Sequence, residues 1–111
     1  MELVMEIQSK YQELEISVKR LRHTGEEYAE AERTWRKIRS QKALELRSQD
    51  MAIGMIDKVL DGISEVADAK FEMQAKEAVY KANQEHINAT KLLLRILENQ
   101  YNKEYFTPMS S

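Results

Sequence analysis

The sequence predicts an all-α protein, an antiparallel coiled-coil helical hairpin of two long helices and a short connecting helix that assembles into a helical bundle. Three observations carry that prediction. The 111-residue chain holds only three Gly and one Pro, too few for the turns of a β-rich fold. Through the first half, apolar residues recur at alternating steps of three and four. In the second half Val59, Val66, Met73, Tyr80, Ile87, Leu94 and Tyr101 fall on every seventh residue, the ladder of left-handed coiled-coil packing.

The first long helix is predicted over residues 2–49. Its seam runs through Val4, Ile7, Tyr11, Leu14, Val18, Leu21, Gly25 and Tyr28. Continuing that count lands on Glu32 and Arg39, so the apolar surface passes to Ala31, Trp35 and Ile38, a three-residue slip that overwinds a supercoil locally. Leu44 and Leu46 close the segment before Ser48-Gln49-Asp50. A connector helix is expected over 51–60, from Met51 to Leu60, stopped by Asp61-Gly62. Ser64 then caps the second long helix, 63–105, with Glu65 and Asp68 placed favourably in its first turn. The row beside its ladder is Ala69, Lys76, Asn83, Thr90 and Leu97. Asn83 and Thr90 there are either buried polar groups that fix register or solvated flank residues. Residues 1–105 are expected to form a single helical-hairpin domain, and 106–111, with the only proline, a flexible C-terminal tail.

Each long helix would span on the order of 65–70 Å at 1.5 Å per residue. Folding back near residue 56 makes opposite partners sum to roughly 112. That sets Leu46 by Val66, Gly25 by Ile87, Val18 by Leu94 and Tyr11 by Tyr101. Gly25 then either makes room for Ile87 or marks a local weakness in the helix. A lone pair of helices leaves much of each seam facing water, so a homo-oligomer is expected, most simply a dimer forming a four-helix bundle. Its rival is a monomer that keeps the stripe for another partner. The interface residues are Trp35, Ile38, Tyr80, Ile87, Leu94 and Tyr101. Trp35 reads first as hairpin or dimer core and second as an anchor for a separate partner.

Seventeen Lys plus Arg against nineteen Asp plus Glu give a formal net charge of −2, which excludes a polybasic binder but not a local patch. With no cysteine there is no disulfide scaffold, thiolate zinc site or cysteine catalysis. The N-terminal residues lack the pattern of a signal peptide, and no stretch approaches the roughly 20 apolar residues of a spanning helix, so a cytoplasmic protein without membrane contact is expected. No serine sits in a Gly-rich nucleophile turn, and no phosphate-cradling GxxxxGK run is present. His23 and His86 are the only histidines; neither lies in a metal motif, although Glu26, Glu27 and Glu30 neighbour His23. No cofactor or metal is expected.

Two patterns keep alternatives open. Arg33, Arg36, Lys37, Arg39 and Lys42 surround Trp35, a basic cluster beside a stacking ring, as in an accessory protein of nucleic-acid replication or recombination. More often such a run is a solvated face paired with acidic neighbours. Glu27-x-x-Glu30 and Glu65-x-x-Asp68 superficially resemble the ExxE and ExxD motifs of the all-α MazG-type nucleoside triphosphate pyrophosphohydrolases. The expected pairing opposes that reading. It puts Glu27 and Glu30 by Glu85 and Ala82, and Glu65 and Asp68 by Arg47 and Leu44, with the motifs about 20 Å or more apart unless a second subunit brings them together.

Leu21-Arg22 with Gly25, the run Glu27 to Glu32, Lys42 to Arg47, Ile56-Asp57-Lys58, Gly62 with Glu65 to Asp68, and Tyr80 to Glu85 together resemble a group of small, uncharacterised coiled-coil proteins. These are encoded in the early regions of phages and prophages of Gram-positive bacteria. The resemblance covers most of residues 2–102. It implies a phage context and the cytoplasm of a bacterial host, and supplies no catalytic or binding residue. The sequence therefore points to a non-enzymatic interaction and oligomerisation protein that binds a phage or host protein through an apolar helix face.

Overall fold

In the computed structural model, which describes residues 2–106, the chain forms three α-helices, with no strand among the described residues. Of the expected C-terminal tail, all but Phe106 lies outside that range. α1 is Glu2–Ser48, α2 is Ile53–Val59, a 3₁₀ turn follows at Leu60–Gly62, and α3 is Ser64–Tyr105. Among the described residues no helix is long and apolar enough to cross a membrane. Ion pairs one turn apart support α1 along its length: Lys10–Glu13 at 3.0 Å, Lys19–Glu15 at 3.2 Å and Arg36–Glu32 at 2.9 Å.

α1 stops at a Schellman motif. The Asp50 N–H donates to the Arg47 carbonyl and the Met51 N–H to the Leu46 carbonyl, while Asp50 adopts φ 63°. Leu46 and Met51, whose contact usually accompanies this motif, both pack on the apolar cluster described below. The left-handed position thus falls on an aspartate, whereas Gly62, the expected stop after the connector, has no positive φ. Nor does Ser64 cap α3. Ile63 carries the extended backbone of the cap (ψ 131°), and its carbonyl accepts the first helical bond from Ala67.

The chain divides into two compact units, one joining the residues up to Arg22 with those from Lys81 on, the other His23–Tyr80. In the His23–Tyr80 unit the core is Ile56, Leu60 and Val66, with Trp35, Ile38, Ala43, Leu46, Met51 and Ile63 packed against it. The connector is therefore part of the core. It lies against the last turns of α1, so Arg39 meets Asp61 at 3.1 Å and Lys42 approaches Glu65 at 3.8 Å. α3 begins level with about residue 42 of α1 instead of its end, which displaces the expected pairs. Gly25, expected opposite Ile87, lies against Tyr80: a Cβ there would stand 3.1 Å from Tyr80 Cε1. The glycine makes room for a ring.

In the other unit the Tyr11 hydroxyl donates to Glu98 at 3.0 Å, where Tyr101 was the expected neighbour. Asn83 Nδ2 donates to the Ser17 carbonyl at 3.1 Å, and His86 stands 3.2 Å from Glu13. Val18, expected against Leu94, is 49% exposed. The α1 seam thus keeps Ile7, Leu14, Leu21 and Tyr28 of the expected row, while Lys10 and Ser17 take the places of Tyr11 and Val18. Buried and half-buried positions run Leu3, Ile7, Lys10, Leu14, Ser17, Leu21 in this unit and Thr24, Tyr28, Ala31, Trp35, Ile38, Lys42 in the other. These steps alternate four and three without a break, so there is no slip near Tyr28. Tyr11 and Val18 suggested the wrong row because they are the more apolar neighbours of Lys10 and Ser17. On α3 the expected rows do face inward: Val66, Met73, Ile87, Leu94 and Leu97 are buried, and so are Asn83 and Thr90.

Truncating Ile87 and Leu94 to Ala should each cost about 2–5 kcal/mol, read as a lower denaturation midpoint. Asp50→Gly relieves the left-handed cost at the end of α1 and should raise stability by about 1 kcal/mol in the same measurement.

Candidate functional site

An open groove of about 540 Å³ lies in the His23–Tyr80 unit, between α1 and the first turns of α3. Ala31, Thr34 and Ile38 from α1 and Ala69 from α3 line it, small or apolar residues that let another side chain approach closely. Around them stand Glu27, Glu30, Glu65, Asp68 and Glu72, with Lys76 as the one cation of the lining. This groove follows from the register. Because α3 starts level with the Arg39–Lys42 stretch, its acidic first turns come alongside the middle of α1.

Both carboxylate motifs therefore line one groove, contrary to the expectation that Glu27 and Glu30 face Glu85 and Ala82 while Glu65 and Asp68 face Arg47 and Leu44. Glu27 instead meets Lys76 at 3.2 Å and Glu65 approaches Lys42. Sharing a groove does not make a metal centre. Among the described residues no group of three His, Asp or Glu side chains is placed to hold an ion. His23 Nε2 lies 2.9 Å from Glu27 Oε1 on its own helix, a pairwise contact.

Carboxylates also occupy most of the basic cluster. Arg36 reaches Glu32 through Nε and Nη2, Arg39 meets Asp61, Arg33 lies 3.7 Å from Glu30, and Lys42 lies 3.2 Å from Glu45. Lys37 has no such partner among the described residues. These acidic neighbours lower the positive potential that a phosphate would meet. Trp35 is not a free stacking platform. It packs on the Ile56–Leu60–Val66 cluster with Arg36 and Lys70 each 5.9 Å from its ring centre, and its buried Nε1 has no acceptor among the described residues.

The residues expected at an intermolecular interface are largely engaged within their own units. Ile38 packs on the same cluster as Trp35, and Tyr80 lies 5.9 Å from the Tyr28 ring beside Gly25. Ile87 and Leu94 are buried, and Tyr101 stacks on Tyr105 at 4.8 Å. What stays outward on the same stretch of α3 is Leu92, Leu93 and Ile96, 38–55% exposed, with Ala89 one turn before them. Steps of three, four and seven put these four on one helix face. In the sequence that stripe is masked by the seven-residue ladder beside it, which carries the stronger pattern.

Two carboxylates tie their helices through nitrogen partners. Lys10 first, then His86, holds Glu13 below the usual carboxylate range; Lys76 first, then His23, does the same for Glu27. A lowered folded-state value means this stability is present above the unfolded value, about 4.3, and is lost as pH falls through the folded one. Hydrogen bonds to Glu98 and Glu77 push the Tyr11 and Tyr28 hydroxyls up, so their contribution is present below about pH 10 and lost above it. Thermal unfolding across pH should show both limbs. Glu13→Gln with Glu27→Gln is expected to flatten the acid limb, and Tyr11→Phe with Tyr28→Phe the alkaline one. Comparison with known proteins gives no match to a family model, a curated protein or a solved structure.

Proposed function

We propose that the chain is a non-enzymatic helical interaction protein of the phage type, an antiparallel coiled-coil hairpin that self-associates and binds a phage or host protein through an apolar helix face. The observation that carries this reading is the outward face of α3 formed by Ala89, Leu92, Leu93 and Ile96. Single exposed apolar residues are ordinary on a protein surface, but a run at helical spacing, one turn from the buried row, has the form of an unfilled packing face. Further support comes from the contacts inside each unit. Lys42 with Glu65 and Glu27 with Lys76, then Ser17 with Asn83 and Tyr11 with Glu98, pair falling numbers on α1 with rising numbers on α3, as opposed helices do.

Size-exclusion chromatography with light scattering over a concentration series tests the reading. The wild-type chain is expected to run as a dimer or larger species. Leu92→Glu with Ile96→Glu should give a monomer with unchanged helical circular dichroism, because both side chains are already exposed. A wild-type monomer at every concentration would remove self-association from the function, and an oligomer unaffected by the double variant would move the contact to another face.

A further inference from the structure

We propose that the groove of the His23–Tyr80 unit is a docking site for a basic amphipathic helix of a partner protein. This rests on the interaction-protein reading and gives it a place and a chemistry. Side chains from two helices form the groove, and a third helix is the element that fills such a furrow by ridge-into-groove packing. It runs along residues 27–38 of α1 and 65–76 of α3, about 16 Å at helical rise, or three turns of a bound helix. Ala31, Thr34 and Ala69 keep the floor low, and Ile38 gives it an apolar contact.

The rim specifies the sign of the partner. Of the five carboxylates Glu27, Glu30, Glu65, Asp68 and Glu72, four share the three cations Lys76, Arg33 and Lys42. Asp68 has no ion-pair partner among the described residues, and three of the pairs are loose: Arg33–Glu30 at 3.7 Å, Lys42–Glu65 and Lys76–Glu72 at 3.8 Å. Loose, solvated pairs contribute little to folding, so their carboxylates are free to trade a water-exposed neighbour for a cation delivered on an apolar helix. A partner with apolar residues at steps of three and four, flanked by Lys or Arg, meets both the floor and the rim. A second copy of this chain fits less well, since Arg36, Arg39 and Lys42 of its clustered cations already face carboxylates at 2.9–3.2 Å.

The test uses the full chain and a fluorescein-labelled helical peptide of Leu and Lys at heptad spacing, with a Leu and Glu peptide of the same length as reference. Anisotropy should show saturable binding of the Lys peptide, at least tenfold tighter than of the Glu peptide, weakening several-fold from about 0.05 to 0.2 M salt. Glu30→Lys with Asp68→Lys should reduce affinity at least tenfold. Thr34→Arg, at an exposed position and so without cost to folding, should reduce it as well. Glu6→Lys with Glu104→Lys, both exposed and outside the groove, should leave it within twofold. Equal loss in that control pair, or no preference for the Lys peptide, overturns the assignment. Light scattering on the same samples separates the two readings: an oligomer that ignores the peptide refutes the groove as a docking site and leaves self-association standing.

Discussion

The packing of Ile56 and Leu60 from the connector against Val66 of α3 is the contact on which the His23–Tyr80 unit depends. Leu60 and Val66 are its most completely buried side chains, 2% and 0% exposed. Enclosing them requires α2 to lie along the end of α1, and that placement fixes where α3 begins. From it follow Asp61 beside Arg39, Glu65 beside Lys42, Lys76 beside Glu27, and the Tyr80 ring over Gly25. A connector serving only as a turn would start α3 two turns further along α1, and the acidic groove would not exist.

The other unit is held differently. Leu3, Ile87, Leu94 and Leu97 are buried there, but so are Ser17, Asn83 and Thr90, and the polar groups find partners on the helices themselves. Asn83 donates to the Ser17 carbonyl, which has a second lone pair to offer, and Thr90 donates to the His86 carbonyl one turn back. Such contacts add about 1 kcal/mol each, yet a misaligned seam would leave the Asn83 amide buried without a partner, at a larger cost. They specify alignment more than they stabilise it. A contact between two helices also leaves their outer faces bare, which is why Leu92, Leu93 and Ile96 stay exposed while Leu94 and Leu97 do not.

Charge follows the same logic. The basic stretch after Arg33 looks like a binding patch when read along the chain, because its carboxylates come partly from elsewhere: Glu30, Glu32 and Glu45 from the same helix, Asp61 and Glu65 from beyond the connector. Folding converts a run of cations into a set of local pairs. The groove nearby is left with more carboxylates than cations.

Helical content, the approximate position of the three helices and the inward face of α3 were all legible in the sequence, because each depends on local propensity and on a period that a helix imposes by itself. The ladder from Val66 to Leu94 needed no partner to be recognised. Register was not legible. Whether α1 turns Tyr11 and Val18 or Lys10 and Ser17 toward its neighbour is a choice between rows 100° apart, and a half-polar seam gives hydrophobicity no means of choosing. The Asp50 terminus and the Ile63 cap likewise overrode the residues with the better local preference. The groove, the pairing of Arg39 with Asp61 and the room Gly25 gives Tyr80 were settled only when α2 packed on α1. They depend on which residues stand level across two helices, a distance set by tertiary contact and by no property of either helix alone.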